Sequence, residues 1–259
     1  MSEPATGDQR PPGRILSSLF NLFFPAPCRI CGELLSEISR VPVCRACWEA
    51  LKPLSPSGQC AVCGLPCAGD LASAAGFRCG ECLKSPPSFD LARSYGAYGG
   101  ALRELVHLMK YQGMTPLAVP LGQRMAGITE APEWSEAFSR CQAVVALPLD
   151  PARQRERGYN QAELLAREVA RHRKIPVLRE ACRRVRPTAP QAGLSRSDRR
   201  ANVQGAFVAE KRLVEDRVLL LVDDVMTTGA TLNACSHALL QAGAAGVVAL
   251  TAARTIEWE

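Results

Sequence analysis

No Gly-x-x-x-x-Gly-Lys-[Ser/Thr] stretch occurs anywhere in the 259 residues, which excludes a Walker-type phosphate loop. Gly-x-Gly-x-x-Gly is absent too, so nothing signals a dinucleotide fold. Long hydrophobic runs are also missing. The apolar stretch from Ile15 to Phe24 stops at Pro25, well short of the ~20 residues that cross a bilayer. Arg10 and Arg14 precede it as they would in a secretion signal, yet no small-residue cleavage site follows. The stretch reads as a short amphipathic helix on the body of the protein, with peripheral membrane contact as the alternative. Residues 1–14 ahead of it are polar and Pro/Gly-rich, a composition that predicts disorder.

What remains is ordinary in bulk, with 47% hydrophobic and 22% charged residues. That places the chain among soluble globular proteins of one or two domains. Its 12 cysteines are not ordinary. Eight come as four Cys-x-x-Cys pairs: Cys28/Cys31, Cys44/Cys47, Cys60/Cys63 and Cys79/Cys82. Two thiolates at this spacing grip one face of a tetrahedral metal, and two such pairs complete the site. Gly32, Gly64 and Gly80 supply unhindered backbone beside the sulfurs. Disulfides are the alternative, but the remainder reads as cytoplasmic, where thiols stay reduced. We therefore expect two closed, structural zinc sites. Sequential pairing, Cys28/Cys31/Cys44/Cys47 and Cys60/Cys63/Cys79/Cys82, is the simplest, and an interleaved cross-brace is the other arrangement. Cys67 is a spare beside the second set, and Cys141, Cys182 and Cys235 read as isolated, buried small residues.

The sequence centres on VLLLVDDVMTTGATL at 218–232. Val218 to Val222 predicts a strand buried on both faces. Asp223 and Asp224 follow where it would emerge. Met226, Thr227, Thr228, Gly229, Ala230 and Thr231 then make a small-residue turn whose N–H groups can crowd around an anion. Leu232 to Ala242 reads as a helix closed by Gly243. Strand, turn and helix N-terminus together make a phosphate cradle with two acids beside it. A phosphorylated ribose fits, its phosphate on the turn and its hydroxyls on the acids. A plain βα turn with two solvated aspartates is the bland reading.

Elsewhere the pattern is that of an α/β fold. Phe89 to Tyr98 can carry one or two strands. Gly99-Gly100 then turns into a helix with Leu102, Leu105, Val106 and Met109 inward, ending at Lys110-Tyr111. Lys110 is either a solvated cation or a diphosphate contact. A helix is expected at 116–127 and an exposed connection at 129–140 carrying Trp134. Ala143 to Leu149 and Val247 to Ala252 read as strands, the latter with Arg254 near its end, and Lys174 to Leu178 as a short one. Arg153, Arg155, Arg157 and Gly158 occupy an expected loop between a strand end and a helix at 161–173, where open α/β sheets bind ligands. Arg forks match phosphate oxygens. The segment 183–207 lacks periodicity, and its Arg196, Arg199 and Arg200 suit a lid over a diphosphate. Residues 151–212 hold 16 Lys and Arg against six Asp and Glu, although the whole chain is only +6. Such a balance suits a small anionic substrate or a nucleic-acid backbone.

The stretch 218–232 resembles the phosphoribosyl-pyrophosphate (PRPP) motif of type I phosphoribosyltransferases. Phe24-Pro25 before Cys28, the segment Tyr98 to Tyr111, RERGYNQAELLA at 155–166 and QAGLSRSDRRANVQGAF at 191–207 extend the likeness to the ComF family over about residues 20–255. The resemblance implies an N-terminal segment at 1–24, a double zinc ribbon at 25–85 and a type I phosphoribosyltransferase domain at 88–259, a parallel sheet flanked by helices. It implies PRPP with Mg²⁺ as ligand. Asp223 and Asp224 would be catalytic. PRPP would be held by Met226 to Thr231, Arg155, Arg157, Gly158, Lys110 and Arg199. Transfer or hydrolysis of the phosphoribosyl group would release pyrophosphate, in DNA uptake or nucleotide salvage. The alternative implied is a PRPP-sensing module without turnover that binds single-stranded DNA, with peripheral association to the inner membrane. No segment that would read an acceptor base is recognisable.

Overall fold

The computed structural model describes residues 27–35, 39–67, 76–186 and 202–256. The expected N-terminal helix at 15–24 and the lid residues Arg196, Arg199 and Arg200 lie outside them. The chain forms two compact units, 1–50 and 51–259.

The first unit holds one Cys-rich hairpin, bridged at Pro27 and Leu34, and a short helix α1 (Arg45–Glu49) capped by the Cys44 side chain. Its thiols are free, and the Cys28–Cys47 and Cys31–Cys44 sulfurs stand 3.8 and 3.6 Å apart.

In the second unit a repeat of that hairpin, bridged at Gln59 and Pro66, leads to α2 (Gly80–Lys84). Strand β1 (Leu91–Ala97) follows, then α3 (Gly100–Tyr111), α4 (Ala118–Ile128) and α5 (Pro132–Ser139). Next come β2 (Ala143–Ala146), α6 (Pro151–Arg157) and α7 (Gln161–Arg173). The antiparallel pair β3 (Cys182–Arg184) and β4 (Phe207–Ala209) and the short α8 (Lys211–Val214) precede β5 (Val218–Met226), α9 (Ala230–Gln241) and β6 (Gly246–Arg254).

The main sheet is wholly parallel in the order β1-β6-β5-β2. Parallel strands need both faces covered, and β5 and β6 meet that need with apolar residues on either side. Leu219, Leu220, Leu221 and Val222 are each fully buried, as are Val247, Ala249 and Leu250. Leu232, Cys235 and Leu239 of α9 pack with Leu219 and Leu221, while α4 and α7 pack on each other and on the sheet. Outside the ladder, the Ala92 N–H of β1 donates to the Val62 carbonyl, and the Leu54 N–H donates to Tyr95. At the other side Val144 of β2 bonds the backbone of Pro176 and Leu178.

Several expectations are corrected. The 129–140 connection is mostly the helix α5, started by Pro132, and Trp134 is buried with Arg93 stacked 4.9 Å above its ring. Residues 151–157 are helical rather than a loop. Asp150 caps that helix through Ala152 and Arg153 N–H, Pro151 takes its first position, and Gly158 ends it at φ 78°. Lys174 to Leu178 makes a single bridge, Val177 to Val144, because Lys174 ends α7 in a left-handed conformation and Pro176 lacks an N–H. Cys182 and Cys235 are not isolated: their sulfurs lie 3.5 Å apart in the core.

Candidate functional site

Strand β5 runs two residues past Asp224, so the acids sit within its C-terminal stretch and not on a loop. Both are buried, at 9% and 5% exposure. Asp223 accepts from the Asp224 N–H at 2.8 Å, and Asp224 accepts from Val225 at 2.9 Å. The second oxygen of Asp224 faces Lys110 Nζ at 2.5 Å and takes no other protein hydrogen bond. Lys110 reaches it from the last turn of α3.

The two carboxyls therefore differ. Burial, then the neighbouring Asp224 charge, pushes the Asp223 carboxyl well above the ordinary range. Burial acts on Asp224 in the same sense, but Lys110 outweighs it and holds that carboxyl below its usual value. Burial also disfavours the Lys110 charge, yet the two aspartates, Asp224 foremost, raise its proton affinity. The two neighbouring carboxyls are thus pushed in opposite directions, Asp224 toward its charged form and Asp223 away from it.

The turn 226–230 follows. Gly229 has φ 79°, and a Cβ there would stand 2.7 Å from Met226 Cε. The left-handed backbone favours glycine here, and a side chain would also push the flexible Met226 end aside. Gly229 opens α9, and a helix N-terminus turns its positive dipole end to where an anion would sit; the Ala230 N–H meets the Thr228 hydroxyl at 3.4 Å.

A cavity lies over these groups. Its lining includes Lys110, Asp223, Asp224, Met226, Thr227, Gly229, Ala230 and Thr231, with Arg153 and Arg157 of α6 opposite. Arg157 donates to Gln161 at 3.1 Å and stacks 5.1 Å from the exposed Tyr111 ring. The Tyr159 hydroxyl donates to the Met109 carbonyl and ties the α6–α7 turn to α3. Thr228 faces a second, neighbouring cavity that shares the turn. Arg155 is exposed and lines neither cavity, and Gly158 serves as the C-terminal cap of α6. Sequence reasoning missed Tyr111, Asn160 and Arg184, which also line the first cavity. Asn160 caps α7 while donating to Leu147, and Arg184 comes from β3. A capping Asn before a helix was the one available signal. Arg184 had none, since it sits in the unpatterned stretch.

The eight paired cysteines gather sequentially into two groups, Cys28/Cys31/Cys44/Cys47 and Cys60/Cys63/Cys79/Cys82, with the four sulfurs of each within 4.8 Å of one another. Zinc–sulfur bonds of about 2.3 Å in a tetrahedron place sulfurs about 3.8 Å apart, and Cys63–Cys79 is 3.7 Å. Disulfides, at about 2.05 Å, do not match. Cys67 stays outside, its thiol donating to the Leu65 carbonyl at 3.2 Å. Four sulfurs per site leave no open position, which suits metal that only holds the fold.

The family described as "Double zinc ribbon domain" matches residues 19–83. Competence protein F of Haemophilus influenzae is 36% identical over 167 residues, 64% of this chain and 73% of that one. The DNA utilization protein YhgH of Escherichia coli K12 is 32% identical over 197 residues, 76% and 84% of the two chains. Competence protein ComFC of Bacillus subtilis is 26% identical over 161 residues, 60% of each. Among solved structures, a glutamine PRPP amidotransferase from B. subtilis aligns over 52% of this chain and 26% of that one, with 19% identity and a TM-score of 0.36. No helix among the described residues is long and apolar enough to cross a membrane. With two four-cysteine clusters ahead of a parallel sheet, and identity sustained over most of its relatives' length, the chain belongs to the competence protein F (ComFC/YhgH) family.

Proposed function

We propose that the chain is a phosphoribosyltransferase-type protein that binds PRPP with Mg²⁺ and transfers or hydrolyses its phosphoribosyl group, releasing pyrophosphate. The observation that carries this reading is the pairing of Asp224 with Lys110, 2.5 Å apart, beside an anion-ready turn and facing Arg153 and Arg157. The 5′-phosphate takes the N–H groups of the Gly229–Thr231 turn. The ribose hydroxyls meet Asp223 and Asp224, and the Asp224 carboxylate stabilises the positive charge that develops at C1 as its bond to pyrophosphate breaks. Lys110, Arg153 and Arg157 receive the departing pyrophosphate. No covalent nucleophile is required, so placement and electrostatics supply the rate.

Two buried carboxyls, one with an oxygen engaged only by Lys110, suit a hard cation that prefers oxygen. Asp223 and Asp224 would be the residues to hold Mg²⁺ at the site, and the ion would supply neutralisation of diphosphate charge. We place this activity in DNA uptake, in keeping with the names competence protein F and DNA utilization protein of its relatives.

A second reading is PRPP sensing without turnover, coupled to single-stranded DNA. Tyr111, 67% exposed and backed by Arg157, favours it, because an uncovered aromatic ring beside a cation can stack a base. Calorimetric titration with PRPP and Mg²⁺, beside the Asp223→Asn/Asp224→Asn variant, tests the pocket. Binding lost in the variant and pyrophosphate released by wild type support an enzyme. Binding without release, relieved by an oligonucleotide, supports the sensor. A folded wild type that ignores PRPP sinks both.

A further inference from the structure

The two cysteine clusters are not equivalent. In the first, Cys31 is exposed and Cys44 half-buried; in the second, all four ligands are buried. Two arginines are buried beside the second, Arg93 of β1 and Arg254 of β6, each 5% exposed. Arg93 donates to the carbonyls of Ala92 at 2.7 Å, Ala61 at 3.2 Å and Cys60 at 3.5 Å. Arg254 donates to the Cys63 carbonyl, and its other terminal nitrogen lies 3.9 Å from the Cys63 sulfur. Neither arginine has a carboxylate partner among the described residues, and the Nε of each is unbonded. Two guanidinium charges this deep need a counter-charge. A zinc ion with four thiolates carries a net charge of −2, which two arginines cancel.

Arg254 also reaches the other way. It is paired in register with Met226, lies 3.6 Å from the Met226 sulfur, and is followed by Thr255, whose N–H donates to the Met226 carbonyl. Met226 Cε in turn supports Gly229. A continuous line of contacts runs from the Cys63 knuckle through Arg254 and Met226 to the turn at the head of α9.

We propose that Arg93 and Arg254 are the counter-charges of the second tetrathiolate zinc site, and that Arg254 makes occupancy of that site a condition for an ordered 226–230 turn. This does not rest on the PRPP reading, since neither metal retention nor backbone order requires that ligand.

The experiment is an EDTA challenge of the zinc-loaded full chain with cysteine alkylation followed peptide by peptide. Loss of an outer partner typically weakens a metal site about 10–100-fold. In Arg254→Gln, Cys60, Cys63, Cys79 and Cys82 should be labelled faster by that factor, and Cys28, Cys31, Cys44 and Cys47 at the wild-type rate. Arg254→Lys, which keeps the charge but not the fork, should fall between. Unchanged labelling of the second set, or equal acceleration of both sets, overturns the proposal. Should Arg254→Gln fail to fold, Arg254→Lys and Arg93→Gln carry the same comparison. In the wild type, hydrogen exchange after zinc is stripped should show lost protection around residues 226–231 and 255, while α7 keeps its protection. Retained protection at the turn overturns its dependence on the metal.

Discussion

Asp223 and Asp224 are adjacent and chemically identical, yet their replacement by Asn should move stability in opposite directions. Asp224→Asn removes the anion that Lys110 faces at 2.5 Å and leaves an ammonium whose side chain is only 19% exposed. Breaking one partner of a buried pair costs about 3–5 kcal/mol, and the solvent left around Lys110 points to the lower end, about 3 kcal/mol. In a domain of this size that lowers Tm by about 6–12 °C. Asp223→Asn removes a carboxyl that burial and the Asp224 charge already disfavour as an anion, so this variant should match or exceed wild type at neutral pH. The pH dependences oppose as well. Asp224 is depressed in the fold, so its contribution is complete above the unfolded value near ~3.9 and fades as pH falls through the folded value. Asp223 is raised, so its contribution is greatest at low pH and is lost as pH climbs through its folded value. The assay is thermal and urea unfolding of wild type and both variants between pH 2 and 8, ligand-free. An Asp224→Asn protein as stable as wild type at pH 7, or an Asp223→Asn protein less stable than Asp224→Asn, would refute the assignment of charge within the pair. Both variants should nonetheless lose PRPP binding, because the proposed ribose contacts need both acids.

Three further outcomes are expected. Gly229→Ala places a Cβ 2.7 Å from Met226 Cε in a left-handed turn, and should cost about 1–3 kcal/mol in urea unfolding and abolish phosphate-dependent binding. Trp134→Ala empties a buried site under Arg93 and should cost about 3–5 kcal/mol with zinc content unchanged in the folded fraction. Arg157→Met should leave unfolding within about 0.5 kcal/mol of wild type but weaken calorimetric PRPP binding about 10–100-fold, the worth of one charge-assisted hydrogen bond.

The strand–turn–helix at 218–241 could be read directly because β5 is buried on both faces, which writes an unbroken apolar run, and α9 on one face, which writes helical periodicity. The same logic explains what was misread. Helix α6 buries none of its residues, so PARQRER shows no apolar stripe. Its evidence lay in the caps, Asp150, Pro151 and Gly158, which report backbone geometry independently of packing. Helix α5 has just two inward side chains, Trp134 and Phe138 at i,i+4, too few to register as a period. The pairing of Lys110 with Asp224 was out of reach of any local pattern, since the sheet and α3 bring together residues more than a hundred positions apart. Arg93 and Arg254 pose the harder case: an arginine in a strand predicts solvent, and the carbonyls, ring and sulfurs that receive them come from distant parts of the sequence.

The second ribbon has a bearing on solubility too. Strand β1 ends the sheet on one side, and an uncovered edge strand is a template on which another chain can add. The Val62 carbonyl occupies the Ala92 N–H, and Leu54 occupies the Tyr95 carbonyl, while residues 176–178 do the same for β2 at the opposite edge. The Cys60–Cys63 knuckle is thus a cover for an edge as well as a metal clasp. A chain made without zinc would expose β1 before it lost its core, and aggregation by strand addition would precede unfolding.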